Sequence, residues 1–195
     1  MFTGIIEATG TIEEVLKTGT NDTFWVRSSI SDELKIDQSI SHNGVCLTVE
    51  EVQNGRHRHT AIAETLSKTN LGNWNKDTAV NLERFMMMNG RLDGHIAQGH
   101  VDTTAVCTAA ITKDGSWEYS FTFAQSFASL VIEKGSIALN GISLTIFNVT
   151  GNGFTVAIIR YTFEHTNMQF LKEGDTVNIE FDMIGKYVNR MISIR

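Results

Sequence analysis

The strongest constraint on how this chain folds is an internal repeat. The segment SISHNGVCLTV at Ser39–Val49 recurs 97 residues later as SIALNGISLTI at Ser136–Ile146. The same offset relates two further pairs of segments: Thr69-Asn70 with Thr166-Asn167, and Val80–Glu83 with Val177–Glu180. Because a constant offset leaves no room for insertions between the matched segments, the chain contains two copies of one domain.

The start of each copy repeats as well, with a small difference in length. GIIEATG from Gly4 aligns with GHVDTTA from Gly99, at an offset of 95 residues. We therefore predict an N-terminal domain over 1–88, a second domain over 89–183 and a C-terminal helix over 184–195. The segment FMMMNGRLDG at Phe85–Gly94 contains Asn-Gly turn chemistry and is expected to link the two domains.

Each copy shows the pattern of an all-β domain. Its apolar residues form short runs of strand length, bounded by Gly, Asn and Asp. Asn43-Gly44 and Asn140-Gly141 each precede an alternating segment, which is a strong hairpin signal. About six strands in so short a domain favour a closed barrel, because closure removes exposed sheet edges.

The end of the chain has helical periodicity instead. Ile184, Tyr187, Val188, Met191 and Ile194 follow a spacing of three and four residues, so they form one apolar stripe. This stripe either joins copies of the chain as an oligomerisation helix or packs back on its own domain.

Composition excludes several classes of function. With 16 basic and 22 acidic side chains the net charge is −6, which disfavours nucleic acid and anionic membrane as partners. No apolar stretch approaches the roughly 20 residues of a membrane span, and the first residues lack a signal-peptide pattern. Cys46 and Cys107 form no CxxC pair, so we expect free thiols and a cytoplasmic protein.

The histidines are candidate metal ligands. His95 and His100 are five residues apart, which places them on opposite faces of a strand. His57 and His59 share a strand face, but the sequence fixes no cysteine or carboxylate beside them. We therefore expect His57 and His59 to be a surface pair, and we expect no metal site.

Two positions differ between the copies in a way that suggests chemistry. His100 stands where the first copy has Ile5, and histidine is the side chain best suited to proton transfer near neutral pH. The alternative is a hydrogen-bonded structural histidine. Cys46 corresponds to Ser143, so each copy has a nucleophile or a hydrogen-bonding group there, although cysteine is also a good core residue.

The assembled motifs resemble the riboflavin synthase family over nearly the whole chain. The resemblance is carried by MFTGI, both N-G-x-x-L-T motifs, G-H-x-x-x-G-H-V-D, the paired Thr-Asn motifs and NIEFDMIGKYVNRM. It implies two tandem six-stranded Greek-key barrels, a C-terminal helix that joins three chains into a homotrimer, and an active site between the first barrel of one subunit and the second barrel of its neighbour. It further implies association with lumazine synthase.

The reaction that the resemblance implies uses two molecules of 6,7-dimethyl-8-ribityllumazine. One donates a four-carbon unit to the other, which yields riboflavin and 5-amino-6-(ribitylamino)uracil, and no cofactor is needed. A transferase of this kind would use one barrel for each substrate molecule. The alternative of the same fold is a non-catalytic antenna protein that binds lumazine or flavin. The polar residues kept in both copies favour the enzyme, because an antenna needs only one good pocket.

The resemblance also implies the site residues. His100 is assigned to proton transfer, and Cys46, Ser143 and Asp182 to nucleophilic or polar assistance. The substrate-binding residues expected from the first copy are Gly4, Ile5, Ile6, Ser41, Leu47, Thr48, Thr60, Ala61, Ile62, Ala63, Glu64 and Thr65. Those expected from the second copy are Val101, Asp102, Lys134, Leu144, Thr145, Ala157, Ile158, Ile159, Arg160, Tyr161 and Thr162. Arg160 departs from the family pattern I-P-x-T, which leaves the ligand geometry of that loop open.

Overall fold

The computed structural model describes residues 1–194, so Arg195, the end of the expected C-terminal segment, lies outside the described residues. The first half contains strands β1 (Ala8–Thr18), β2 (Asn21–Ser28), β3 (Ser39–His42), β4 (Val45–Thr48), β5 (Glu51–Gln53), β6 (Arg56–Ala61) and β7 (Ala79–Arg84), with helix α1 (Ala63–Lys68) between β6 and β7. The second half contains β8 (Thr103–Lys113), β9 (Ser116–Phe123), β10 (Ser136–Leu139), β11 (Ile142–Phe147), β12 (Gly153–Ile159) and β13 (Thr176–Phe181), with α2 (Arg160–His165) and the terminal helix α3 (Met183–Ser193). Short 3₁₀ turns lie at Ser31–Glu33, Leu71–Asn73, Gln125–Leu130 and Asn167–Phe170.

The second half is a closed six-stranded barrel in the order β10-β11-β12-β9-β8-β13. Its ladders are antiparallel, and β13 closes the barrel by pairing with β10. Three consecutive strands, β10 to β12, are followed by a fourth that returns beside the first, which is the Greek-key arrangement. The predicted all-β, duplicated Greek-key fold is confirmed.

The first half has the same arrangement with one difference. Its sheet has seven strands in the order β4-β3-β7-β1-β2-β6-β5, so the place of β11 is taken by two short strands, β4 and β5. The strand is therefore interrupted at Val49 and Glu50, whose N–H groups donate to the carbonyls of Gln38 and Arg58, where the second barrel has a continuous strand. We call this gap the open seam.

The Asn-Gly hairpins form as predicted. Asn43 and Gly44 have φ values of +47° and +80°, and Asn140 and Gly141 have values of +44° and +80°. Positive φ at both central residues is the requirement of a type I′ turn, whose twist matches that of the flanking strands.

Strand β6 corrects the prediction that His57 and His59 form a surface pair. Along β6 the buried side chains are His57, His59 and Ala61, and they alternate with Arg56 and Arg58. Both guanidinium groups lie over the ring of Trp25 on the neighbouring strand. Since side chains alternate across a strand, this outward position of the arginines turns the histidines into the barrel.

A network of buried asparagines joins the two barrels. Asn178 donates from Nδ2 to the carbonyl of Asn43 at 3.0 Å, and its Oδ1 accepts from the backbone N–H of Asn70 at 2.8 Å. The repeat produces the equivalent pair of hydrogen bonds. Asn81 donates from Nδ2 to the carbonyl of Asn140 at 3.0 Å, and its Oδ1 accepts from the N–H of Asn167 at 2.7 Å. The barrels therefore pack about a pseudo-twofold axis that follows directly from the duplication.

Replacing Asn178 with alanine should lower the free energy of unfolding by about 3 kcal/mol. The change leaves the N–H of Asn70 and the carbonyl of Asn43 without partners, and each unsatisfied buried group costs about 1–3 kcal/mol. Urea denaturation measures the loss, with Asn189→Ala on the exposed surface of α3 as the control. A loss no larger than that of the control would show that the network does not hold the barrels together.

Helix α3 begins where the sequence predicted a helix, and its apolar stripe is exposed. Ile184, Tyr187, Val188, Met191 and Ile194 are each 50–68% exposed on the single chain. The part of the chain that the structure describes has no helix of the length and apolarity needed to span a membrane.

Candidate active site

One buried carboxylate fixes the beginning of each repeat. Glu83 accepts hydrogen bonds from the backbone N–H groups of Thr3 and Gly4, at 2.6 and 3.0 Å. Its counterpart Glu180 accepts from the N–H groups of Gln98, Gly99 and His100, at 2.6, 2.8 and 3.0 Å. Burial raises the pKa of both carboxyl groups, and the backbone donors oppose that rise. Each carboxylate therefore holds one short segment of backbone in a defined position.

The two segments cross over between the barrels. The carbonyl of Gly4 accepts from the N–H of Ser143 in the second barrel at 2.8 Å, and that of Gly99 accepts from the N–H of Cys46 in the first barrel at 2.9 Å. The structure thus brings Gly4 to Ser143, whereas the resemblance places Gly4 in one pocket with Cys46. Each candidate pocket is bordered by backbone from both repeats.

Only glycine fits at these crossing points. Gly4 and Gly99 have φ values of +77° and +80°. A Cβ at Gly4 would lie 2.5 Å from Cβ of Ser143, and one at Gly99 would lie 2.6 Å from Cβ of Cys46. The glycines of the TGI and QGH motifs therefore allow backbone to lie directly against the Cys46 and Ser143 positions.

Ser143 has a histidine partner that the sequence analysis did not assign to the site. Nδ1 of His95 lies 2.6 Å from Oγ of Ser143, and the N–H of His95 donates to the carbonyl of Thr3. Burial lowers the pKa of His95, and the Asp182 carboxylate opposes part of that shift. A neutral imidazole can accept the Ser143 proton, so the pair can polarise this hydroxyl.

Cys46 lies in a different environment from its counterpart Ser143. Burial raises the pKa of the Cys46 thiol, while a hydrogen bond with Ser39 and the charge of the N-terminus oppose the rise. A protonated thiol is a weak nucleophile. The raised pKa therefore disfavours Cys46 as the attacking group.

His100 presents its side chain to solvent beside this crossing. Its backbone is fixed by Glu180, while the imidazole is exposed, as is Ile5 at the same position of the first repeat. A fixed backbone with an accessible ring is the arrangement needed by a group that exchanges protons with a bound ligand.

The two predicted aspartates have structural partners. Asp182 caps α3 by accepting from the N–H of Ile184 at 2.9 Å. Asp102 accepts from the N–H of Phe181 and pairs with Nζ of Lys186 at 2.7 Å. Both carboxylates therefore anchor the start of α3, next to His95. The position of α3 thus sets where these carboxylates lie relative to a bound ligand.

The remaining predicted residues divide by exposure. The side chains of Ser41, Leu47, Ala61 and Ile158 are buried. Those of Ile6, Thr60, Thr65, Val101, Leu144 and Thr162 are partly buried, and those of Thr48, Ile62, Ala63, Glu64, Lys134, Thr145, Ala157, Ile159, Arg160 and Tyr161 are exposed. Ile62 and Ile159, which occupy equivalent positions, are 56% and 64% exposed. Both repeats thus present threonine hydroxyls and an exposed isoleucine, a surface suited to an amphipathic ring system with a polar chain.

Arg160 occupies the first position of helix α2. Its side chain pairs with Glu164 one turn later, with Nε 2.7 Å from Oε1. Proline is favoured at this position because the first N–H of a helix needs no intrahelical partner. The helix therefore begins with arginine in the position of the family's proline.

One further cluster could hold a metal ion. His42, His57 and His59 meet inside the first barrel. Burial lowers the pKa of His57 to about 4 and those of His42 and His59 well below the usual value, so all three rings are neutral. His42 joins the other two from β3, a contact between separate strands that local spacing does not specify.

Comparison with known families agrees with this doubled architecture. A family model described as lumazine binding domain matches residues 3–85 and again 98–182. The fold and the paired sites thus define a protein of the tandem lumazine-binding class.

Full-length relatives narrow the assignment. The chain is 40% identical over 193 residues to riboflavin synthase of Bacillus subtilis (strain 168), covering 98% of this chain and 90% of the relative. It is 39% identical over 199 residues to riboflavin synthase of Mycobacterium bovis, covering 98% of each. The chain belongs to the riboflavin synthase family.

Solved structures support the fold. LumP complexed with 6,7-dimethyl-8-(1'-D-ribityl) lumazine superposes with a TM-score of 0.85 at 17% identity, covering 93% of this chain and 99% of that one. LumP complexed with riboflavin superposes with a TM-score of 0.87 at 19% identity, with the same coverage.

Proposed function

We propose that this protein is a riboflavin synthase. In this reaction a four-carbon unit passes from one molecule of 6,7-dimethyl-8-ribityllumazine to a second, so that two identical substrates give riboflavin and 5-amino-6-(ribitylamino)uracil. Family membership over both repeats and the crossing of the two segments described above support this proposal. No cofactor enters the scheme.

The observation that carries the proposal is a pair of similar pocket borders with unlike polar groups. One border contains Cys46 and Gly99, and the other contains Ser143, Gly4 and the His95 imidazole. A reaction between two identical molecules needs two similar binding sites, and it also needs a difference that assigns one molecule as donor. The duplicated fold with substitutions at matched positions meets both requirements.

The reaction requires the protein mainly to orient the two lumazine rings and to transfer protons. The 7-methyl protons of the lumazine are acidic because the resulting anion delocalises into the heterocycle. The accessible imidazole of His100 is suited to take up or return such a proton, and the His95–Ser143 pair offers a polarised hydroxyl for addition to the acceptor ring. Holding the two rings together supplies the remaining rate enhancement.

The exposed surfaces support a homotrimer. The stripe on α3 and the pocket isoleucines Ile62 and Ile159 are uncovered on a single chain. Burying them between subunits would remove this apolar surface from water and would bring the first barrel of one chain to the second barrel of the next. The free thiols of Cys46 and Cys107 fit the cytoplasm, where association with lumazine synthase would shorten the path of the substrate.

Incubation with the lumazine tests the proposal. Riboflavin absorbance should grow while the pyrimidine product is released in equal amount, with two molecules of lumazine consumed for each riboflavin. A stable fluorescent complex that forms no riboflavin would overturn the proposal and would favour the antenna protein.

Placing a charge on the α3 stripe should disperse the oligomer. The double variant Tyr187→Glu/Met191→Glu keeps the helix and its Asp182 cap but puts carboxylates on the apolar face. Sedimentation velocity should then show the mass of a single chain, as should deletion from Ile184. Asn189→Glu, an exposed position outside the stripe, serves as the control. Parent-like sedimentation of both stripe variants would show that α3 does not join subunits.

A further inference from the structure

Three histidines meet in the interior of the first barrel. His42 lies at the end of β3, and His57 and His59 lie on β6. All three side chains are 0% exposed, and one ring nitrogen from each lies within 4.8 Å of the other two. A polar cluster of this kind in an otherwise apolar core requires a physical explanation.

Half of the ring nitrogens have no hydrogen-bond partner among the described residues. Nε2 of His42 lies 2.8 Å from Nε2 of His57, but Nδ1 of His42 and both nitrogens of His59 are buried and unpaired. Buried polar atoms are costly unless they bind something, so the cluster is incomplete as a hydrogen-bonded network.

The second barrel shows that the fold does not need these histidines. At the equivalent positions it has Leu139, Phe154 and Val156, each no more than 2% exposed. The same barrel geometry is therefore filled by ordinary apolar packing in one copy and by three imidazoles in the other.

The surroundings of the cluster resemble the outer shell of a metal site. Oγ of Ser31 lies 2.9 Å from Nδ1 of His57, and Ser31 is itself held by the hydroxyl of Ser28 at 2.8 Å. A partner on Nδ1 fixes the orientation of a ligating histidine, and in His57 it turns Nε2 toward Nε2 of His42. His59 stacks on the ring of Phe24, so one side of the cluster is apolar.

We propose that His42, His57 and His59 form a binding site for a divalent transition-metal ion, with Zn²⁺ as the fitting occupant. Three neutral imidazoles are a common zinc ligand set, and zinc accepts a tetrahedral arrangement in which water supplies the fourth ligand. With His42 as a third ligand, the cluster departs from the sequence-based expectation of no metal site. The site is distinct from the pocket borders at Cys46 and Ser143.

The position of the site indicates what the ion would do. Strand β3 pairs with β4, and β6 pairs with β5, so the three histidines come from strands on either side of the open seam. In the second barrel the equivalent strands are joined by the backbone ladders of the single strand β11. A metal bound by these residues would therefore tie β3 directly to β6.

Refolding the full chain with a metal probe tests the site. Because the cluster is buried, the protein is unfolded and refolded with Zn²⁺, with Co²⁺ or with a chelator, so that the ion can enter during folding. We expect one tightly held ion per chain, visible d–d absorption of tetrahedral Co²⁺, and a thermal midpoint raised by about 10 °C over the chelated protein.

The second barrel provides the matched control. The triple variant His42→Leu/His57→Phe/His59→Val copies its residues, so it should fold, hold no ion and show the same thermal midpoint with Zn²⁺ and with chelator. If this variant does not fold, the Co²⁺ spectrum of the parent still decides the question. Absence of retained metal and of a Co²⁺ spectrum in the refolded parent, or equal metal content in the folded triple variant, would overturn the proposal.

Discussion

Replacing His100 with isoleucine should reduce the rate of riboflavin formation by at least about 100-fold while leaving the affinity for lumazine nearly unchanged. A positioned proton-transfer group typically contributes a factor of about 10²–10⁴ to the rate. The imidazole is exposed, whereas the backbone of His100 is held by Glu180 through its N–H, so the substitution leaves that anchor in place. Single-turnover kinetics measure the rate, and fluorescence titration of lumazine measures the affinity.

Isoleucine is the appropriate substitute because the first repeat carries Ile5 at this position. The variant should therefore fold with a parent-like thermal midpoint. His100→Gln, which keeps a hydrogen-bonding side chain but cannot exchange protons near neutral pH, should be as slow as the isoleucine variant. Full activity of His100→Gln, or an equal loss of rate and affinity in His100→Ile, would assign His100 to binding instead of proton transfer.

Replacing Gly99 with alanine should lower the free energy of unfolding by about 4 kcal/mol and abolish riboflavin formation. Two costs add: a non-glycine residue at a positive φ costs about 1–3 kcal/mol, and an overpacked contact costs about 1–3 kcal/mol. The new Cβ would lie 2.6 Å from Cβ of Cys46 and 2.7 Å from Cε2 of Phe2. Urea denaturation measures the stability, and the lumazine assay measures the activity.

Gly19→Ala separates these two costs. Gly19 has a φ of +63°, but no atom lies within 4 Å of the Cβ that alanine would add there. It should therefore show only the backbone cost of about 1–3 kcal/mol and normal activity. Equal losses in Gly19→Ala and Gly99→Ala would mean that the crossing between the repeats is loosely packed and does not shape a pocket.

Most of the fold could be predicted from the sequence because its determinants are local or repeated. The Asn-Gly pairs specify type I′ hairpins, the repeat specifies two like barrels, and the spacing from Ile184 specifies a helix. The inward face of β6 could have been read from the repeat, because His57 and His59 align with the apolar Phe154 and Val156. The open seam could not be predicted, because it depends on which neighbouring strand each residue of β4 and β5 meets.

The sequence-based site residues stay a prediction, but the structure shows which of them lie together. The matched positions Cys46 and Ser143, which the repeat singles out, each lie at a crossing between the repeats. The contact between His95 and Ser143 joins residues far apart in the chain, and no local signal specifies it. The motif G-H-x-x-x-G-H is the one sequence feature that singles out His95, because its first histidine directly follows the linker at the start of the second repeat.

The most direct measurement is the number of lumazine-type ligands bound per chain. Calorimetric titration with riboflavin, which cannot react further alone, counts the sites without turnover. Two molecules of riboflavin per chain are expected, because each repeat contributes one pocket and the difference between the pockets assigns donor and acceptor. Saturation at one riboflavin per chain would contradict the claim that duplication of the barrel created a pair of working sites.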